Sequence, residues 1–304
     1  MYDYGAIPHC KEHGSALNFG QDEMFKEKYK QLIDDGFCII EDVLSEQFLN
    51  RCRKETDRLC QSAPEENRNR FQSQGSMLSA MSHPIFAELI AWQKSIDALK
   101  SMGFKNPTFT DGYIISKPPH SPKLFWHYDW FAWDDPTVYY PKPQQVFLMY
   151  YLIDTTTHNG CLRTIPGSHL RHNPLHNHLH NPHAQEISMA EDTNRPEFST
   201  RPDEVDVPIK AGDLLIGDAR LLHASHANQS NQRRTVITLW FQPDFCILPE
   251  RIKAQMVAKT QTVPSNWPVT AKKMVADLHP RYNGQAEPYG RILYKPKPRH
   301  IGQT

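Results

Sequence analysis

At about residue 105 the hydrophobic pattern of this 304-residue chain changes its period, and that change constrains the fold more than any other feature. Before it, apolar residues recur at helical spacing. From Asp22 to Asp35 they are Met24, Phe25, Tyr29, Leu32 and Ile33, and Gly36 is placed to end that helix in a left-handed cap. Phe37 to Ile40 reads as a short strand. Ser45, followed by Glu46 and Gln47, opens a second helix running to about Gln61. A third is predicted from about Pro84 to Met102, carried by Ile85, Phe86, Leu89, Ile90, Trp92, Ile96 and Leu99. Beyond residue 105 come short β-like runs: Thr108 to Ser116, Phe125 to Trp130, Val146 to Ile153, Leu162 to Ile165, Val205 to Ile209, Asp213 to Gly217 and Arg234 to Gln242. Pro, Gly and Asn separate them. Helices first and many short strands afterwards predict an α+β chain whose β part is a double-sheet barrel.

Residues 1–304 are expected to form a single domain. Residues 1–104 form a mainly helical part packed on the barrel, 105–245 the barrel core and 246–304 a C-terminal extension. Residues 1 to about 20 read as an irregular arm, and the Pro- and Lys-rich tail after Asp277 as irregular and extended. The polar stretch 168–202 holds histidines at 169, 172, 176, 178, 180 and 183. A connection of that length reads as a lid or binding loop. Its histidine spacing fits no closed metal site, although His176 or His180 could touch a substrate on closure.

Lys+Arg and Asp+Glu both number 34, so the formal net charge is zero. A neutral chain has no bulk electrostatic reason to bind nucleic acid or an anionic membrane. The cysteines at 10, 38, 52, 60, 161 and 246 form no CxxC pair and read as reduced, mostly buried thiols. With no secretory pattern in MYDYGAIPHCKEHG and no transmembrane-length apolar run, the expectation is a cytoplasmic protein without membrane contact.

The strongest local signal is Trp126-His127-Tyr128-Asp129-Trp130. Alternation along a strand puts His127 and Asp129 on one face, about 6.6 Å apart along the backbone. An imidazole and a carboxylate so placed can converge on one metal ion. A second histidine would complete the two-histidine, one-carboxylate facial triad of non-haem Fe(II) sites. His223 ends the apolar stretch Arg220-Leu-Leu-His223, as a barrel-wall ligand would, and its rival His226 lies further into the polar turn. Arg234 follows on the next strand, and a guanidinium there can grip the far carboxylate of a dicarboxylate that chelates the metal. It shares a strand face with Val236, Thr238 and Trp240. Arg233 points the other way, so whichever face looks inward decides between the two arginines.

Three blocks together resemble the phytanoyl-CoA dioxygenase family. They are Trp126-His-Tyr-Asp129, Asn159-Gly-Cys-Leu-Arg-Thr-Ile-Pro-Gly-Ser-His169, and His223-Ala-Ser-His-Ala-Asn-Gln-Ser230 leading to Arg234. The resemblance spans roughly residues 20 to 245. It implies a double-stranded β-helix (jelly-roll, cupin-like) core with flanking helices. It also implies an Fe(II)- and 2-oxoglutarate-dependent dioxygenase that uses O₂, oxidises a C–H bond of a small organic molecule and releases succinate and CO₂. By position, the implied iron ligands are His127, Asp129 and His223. The implied co-substrate residues are Arg234 and Ser225. Ala224 departs from the family's usual glycine, and the strand around Met149 shows no counterpart of a tryptophan that stacks near the co-substrate in some members. Asp129 in the carboxylate position favours hydroxylation or a related oxidation over halogenation.

Lys117 is a further candidate for the co-substrate or a substrate carboxylate. The substrate pocket is expected around Trp133, Tyr128, Trp130 and Tyr113, with Trp133 foremost because the run to Trp133 is similar to that of an ectoine hydroxylase in the family. No basic groove suited to coenzyme A phosphates is evident beyond scattered lysines such as those in Lys295-Pro-Lys-Pro-Arg299. A free amino-acid-like or natural-product molecule is therefore preferred to an acyl-CoA thioester. The competing readings are a catalytically silent jelly-roll metal-binding protein and a Zn²⁺ hydrolase or isomerase built on the same triad.

Overall fold

The computed structural model describes residues 19–182 and 184–297. The expected N-terminal arm up to residue 18, His183 and Arg299 lie outside the described residues. The strands are β1 (Phe37–Ile40), β2 (Leu78–Ser79), β3 (Thr108–Lys117), β4 (Leu124–His127), β5 (Val146–Tyr151), β6 (Leu162–Thr164), β7 (Val205–Val207), β8 (Leu214–Asp218), β9 (His223–Ser225) and β10 (Arg234–Gln242). They form a six-stranded sheet of order β1-β8-β5-β10-β3-β2 and a four-stranded sheet of order β4-β9-β6-β7. The named strand pairs are antiparallel throughout.

Both faces of the larger sheet are covered, so its central strands read as unbroken apolar runs. In β5, Leu148 and Tyr150 point into a core shared with the N-terminal helices. Phe147, Met149 and Tyr151 point inward, where they meet Leu162 and Val207 of the smaller sheet. β10 follows the same rule, with Ile237, Leu239 and Phe241 outward and Val236 and Trp240 inward. Arg234 therefore faces the space between the sheets, being 2% exposed. Arg233 turns away and donates from Nη1 to the Ser116 carbonyl at 3.1 Å.

The helices cover the outer face. α1 (Phe19–Asp35) ends at Gly36, whose φ of +89° is the left-handed cap expected there. α2 (Glu46–Ser62) starts at Ser45, whose side chain accepts from the Phe48 N–H at 3.3 Å. A short α3 (Glu65–Arg70) follows. The third helix expected from the sequence is two, α4 (Ile85–Ile90) and α5 (Gln93–Ser101), because Trp92 between them is extended. The indole of Trp92 donates to the Val43 carbonyl at 2.8 Å and stacks on Phe48 at 4.4 Å, contacts that a continuous helix would forfeit. The stretch 168–202 is built around α6 (Gln185–Ser188) and short 3₁₀ turns. The C-terminal extension carries α7 (Glu250–Lys259) and α8 (Val269–Ala276), neither foreseen from periodicity. No helix among the described residues is long and apolar enough to cross a membrane.

Candidate metal centre and adjoining cavity

The smaller sheet brings the two histidines face to face. His127 ends β4 and His223 opens β9, and they are directly paired in the ladder. Their ring centroids lie 4.1 Å apart. Each imidazole is oriented alike: Nδ1 lies 3.0 Å from the carbonyl two residues earlier, Phe125 for His127 and Leu221 for His223. A carbonyl only accepts, so Nδ1 of each ring donates and Nε2 keeps its lone pair, the tautomer that binds a metal. Asp129 lies just past β4, where its own N–H and that of Trp130 both donate to the Ala219 carbonyl, at 2.7 and 2.9 Å. Its Oδ1 stands 3.7 Å from His127 Nε2 and its Oδ2 3.9 Å from His223 Nε2. All three donor atoms fall within 4.8 Å of one another, a set that could hold one metal ion.

Two of the sequence blocks explain how His223 is placed. Thr164 pairs with His223 across the β6–β9 ladder. Ser168 of the Pro-Gly-Ser-His segment accepts the Leu222 N–H at 3.0 Å, and His169 donates from Nε2 to the Ile33 carbonyl at 2.9 Å. In the last block, Asn228 builds the turn between β9 and β10. Its Nδ2 donates to the carbonyls of Lys117, Pro118 and Gln232, and its Oδ1 accepts from Ser230. That turn delivers Arg234 beside His223's strand. His226, the rival ligand, pairs instead with Asp206 at 2.6 Å and stands outside the triad.

Arg234 and Lys117 are cross-strand partners, 2% and 0% exposed. Among the described residues neither forms an ion pair with a carboxylate. Arg234 Nη2 donates to Ser225 Oγ at 3.4 Å, while its buried Nε has no partner. Lys117 Nζ donates to the carbonyls of Ser73 and Pro122. Burial, and then the neighbouring Arg234 charge, holds the Lys117 ammonium far below its ordinary range. Burial lowers the Arg234 guanidinium too. A buried cation without a counter-charge is costly, and a doubly charged anion would relieve both groups. Gly160 makes the close approach possible: its φ is +94°, and a Cβ there would lie 3.1 Å from the His226 carbonyl and 3.5 Å from Arg234 Nε.

Beside His127 and Asp129 lies a cavity of about 230 Å³. Met77, Ile115, Leu124, Phe125, Phe131 and Trp240 give it apolar walls, and Asp111, Tyr113, Lys259 and Arg291 its polar ones. Burial pushes the Asp111 carboxyl up to about 7. Of the expected pocket residues, Tyr113 lines this cavity. Tyr128, Trp130 and Trp133 do not, and the reading that put them there is corrected. Tyr128 and Trp130 alternate with His127 and Asp129, so they point away into a second core. Trp133 packs there against Tyr128 and Tyr294 and borders a separate cleft with His169 and His172.

In the histidine-rich stretch His172, His178 and His180 are exposed, whereas His169 and His176 are buried. His176 stacks on Tyr294 at 3.9 Å and caps its own turn through the Asn173 N–H. Pro182 borders the cavity, so part of the stretch does stand over the site.

Trp240 was missed as a site residue. Its indole donates to Asp129 Oδ2 at 2.9 Å, and its cross-strand partner is Asp111. A usable signal was present: Asp111, Tyr113, Ile115 and Lys117 share one face of β3, and two charges on a face that also carries Tyr113 mark a functional wall.

Two antiparallel sheets enclosing a two-histidine, one-carboxylate set, with a buried arginine behind it, define the double-stranded β-helix class of metal oxygenases. The sequence matches the phytanoyl-CoA dioxygenase (PhyH) family over residues 32–236, and the chain belongs to that family. It is 28% identical over 166 residues to a phytanoyl-CoA dioxygenase domain-containing protein 1 homolog of Dictyostelium discoideum, covering 52% of this chain and 55% of that one. It is 22% identical to a probable alpha-ketoglutarate-dependent hypophosphite dioxygenase of Stutzerimonas stutzeri, covering 72% and 78%. Among solved structures it is similar to the epimerase SnoN in complex with Fe³⁺, alpha-ketoglutarate and nogalamycin RO, with a TM-score of 0.57, 17% identity and coverage of 90% and 96%. HygX of Streptomyces hygroscopicus, with nickel and 2-oxoglutarate bound, gives a TM-score of 0.54, 20% identity and coverage of 75% and 88%. These structural likenesses establish the cupin-like fold.

Proposed function

We propose that this protein is an Fe(II)- and 2-oxoglutarate-dependent dioxygenase that oxidises a C–H bond of a small organic molecule and releases succinate and CO₂. The observation that carries the reading is the pairing of His127, Asp129 and His223 with a buried arginine whose Nε has no hydrogen-bond partner among the described residues. The residues fit both groups. Two imidazoles presenting Nε2 and one carboxylate suit Fe(II) with three positions left open. Arg234, with Ser225 and the neighbouring Lys117, suits the distal carboxylate of 2-oxoglutarate. When bound, iron and the keto acid supply the oxidising chemistry, driven by O₂.

The chain's own residues do the placing. The Phe125 and Leu221 carbonyls hold the two rings in the metal-binding tautomer. Trp240 and the Ala219 carbonyl fix Asp129. Arg234 sets the orientation of the co-substrate, and the apolar cavity walls limit water around the reacting carbon. A cavity of about 230 Å³ suits a free small molecule better than an enclosed acyl-CoA thioester.

The test is succinate formation over a panel of small metabolites. Formation that needs Fe(II), 2-oxoglutarate and O₂ together supports the reading. Turnover of the panel under strict anaerobiosis, without the keto acid, would replace it with a hydrolytic or isomerising one.

A further inference from the structure

The cavity beside the triad carries three ionisable groups, Asp111, Lys259 and Arg291, which are coupled across it to one another and to Asp129 without closing a direct ion pair among the described residues. Asp111 lies half-buried in its wall, and its carboxylate accepts a hydrogen bond from Thr110 Oγ1 at 3.3 Å. Lys259, the last residue of α7, and Arg291, in the C-terminal tail, border the same cavity with exposed side chains. Among the described residues none of the three lies within the 4.0 Å of an opposite charge that makes an ion pair. Both cations are nonetheless held in place. Arg291 sits 3.6 Å and Lys259 5.4 Å from the centre of the Phe131 ring, which is itself 8% exposed. The next residue, Ile292, donates its N–H to the Phe131 carbonyl at 2.8 Å, pinning the tail against the barrel.

A carboxylate stands on β3, next to Trp240 in the ladder, and two cations stand together on one ring. The apolar walls of the cavity include Met77, Ile115, Leu124 and Trp240. The cavity of about 230 Å³ has room for a molecule of amino-acid size. A carboxylate inside an apolar-walled cavity gains from a cationic partner that excludes water, and paired cations at an opening draw in an anion.

We infer that the substrate is a small zwitterion, its cationic nitrogen against the Asp111 carboxylate, its own carboxylate on Lys259 and Arg291, and its apolar carbons alongside Trp240. This rests on the oxygenase reading, because only that reading makes the cavity the substrate's place.

The experiment uses the full chain loaded anaerobically with Fe(II) and 2-oxoglutarate. Calorimetry and thermal shift then measure binding of a library of α-, β- and γ-amino acids, each alongside its methyl ester and N-acetyl form. The account expects the binders to be zwitterions, about tenfold or more tighter than their own ester or N-acetyl form, since each truncation removes one charge-assisted contact. Arg291→Gln should narrow the gap between amino acid and ester, and Asp111→Asn the gap between amino acid and N-acetyl form. Binders that lack the pair of opposite charges, matched forms that bind equally, or variants that weaken all three forms alike would overturn the inference. The loading steps report separately on the oxygenase reading: failure to take up Fe(II) and 2-oxoglutarate sinks that reading, whereas intact loading without preference for the zwitterion sinks only this inference.

Discussion

The indole of Trp240 donates to Asp129 Oδ2 at 2.9 Å, joining β10 of the larger sheet to the carboxylate that follows β4 of the smaller one. The same oxygen stands 3.9 Å from His223 Nε2. One hydrogen bond thus aims the only carboxylate of the triad, and such outer partners of a metal ligand are commonly worth ten- to a hundredfold in metal affinity. Trp240→Phe keeps the ring and removes the donor. The variant should bind Fe(II) roughly tenfold or more weakly in an anaerobic titration, with the fold intact by circular dichroism. Unchanged affinity would show that Asp129 needs no such support.

Arg234 is positioned for a bidentate grip that an ammonium cannot reproduce. Losing a charge-assisted hydrogen bond from a buried site costs about 2 kcal/mol, or roughly thirtyfold. Arg234→Gln should therefore raise the 2-oxoglutarate concentration needed for half-maximal succinate formation by about that factor. Arg234→Lys should restore little of it. Full rescue by lysine would reduce the contact to simple charge.

Gly160 is the close-approach residue of the Asn159-Gly160-Cys161 segment. With φ at +94° and the His226 carbonyl 3.1 Å from any added Cβ, Gly160→Ala combines backbone strain with crowding beside Arg234. A loss of about 1–3 kcal/mol in urea unfolding is expected, together with weaker 2-oxoglutarate binding. An alanine variant as stable as the parent would contradict this placement.

His176 gives the fold an acid limb. Burial, and then the neighbouring His172, lowers its imidazole to about 4, whereas an unfolded histidine titrates near 6.5. The unfolded chain therefore takes up a proton first, so stability falls as pH drops from about 6.5 towards 4 and levels off below. The span corresponds to a penalty on the order of 3 kcal/mol. His176→Gln, which cannot titrate, should lose less stability than the parent between pH 7 and pH 4 in chemical denaturation. Parallel curves would place the titrating group elsewhere.

Much of this was legible in the sequence, and the reasons differ by residue. Strand alternation put His127 and Asp129 on one side, and the end of an apolar run distinguished His223 from His226. Alternation on β10 left Arg233 and Arg234 open, and only the inward direction of Val236 and Trp240 resolves it. The helical N-terminal part was readable because its elements are local, and it failed at Trp92, where a tertiary contact to Phe48 and Val43 overrides periodicity. The aromatic residues nearest the ligands in sequence, Tyr128, Trp130 and Trp133, point away from them in space and do not line the cavity beside the triad. That cavity draws walls from β3, β10, α7 and the tail, whose meeting no local pattern encodes.

The proposed activity depends on one ion being held jointly by residues 127, 129 and 223, with the keto acid anchored by residue 234. Anaerobic titration of the protein with Fe(II) and 2-oxoglutarate tests it most directly, followed by the visible charge-transfer absorption of an iron–keto acid chelate. The account predicts a single saturable chelate per chain that is absent in His223→Ala and requires far more 2-oxoglutarate in Arg234→Gln. A chelate that forms as readily in His223→Ala as in the parent would contradict it.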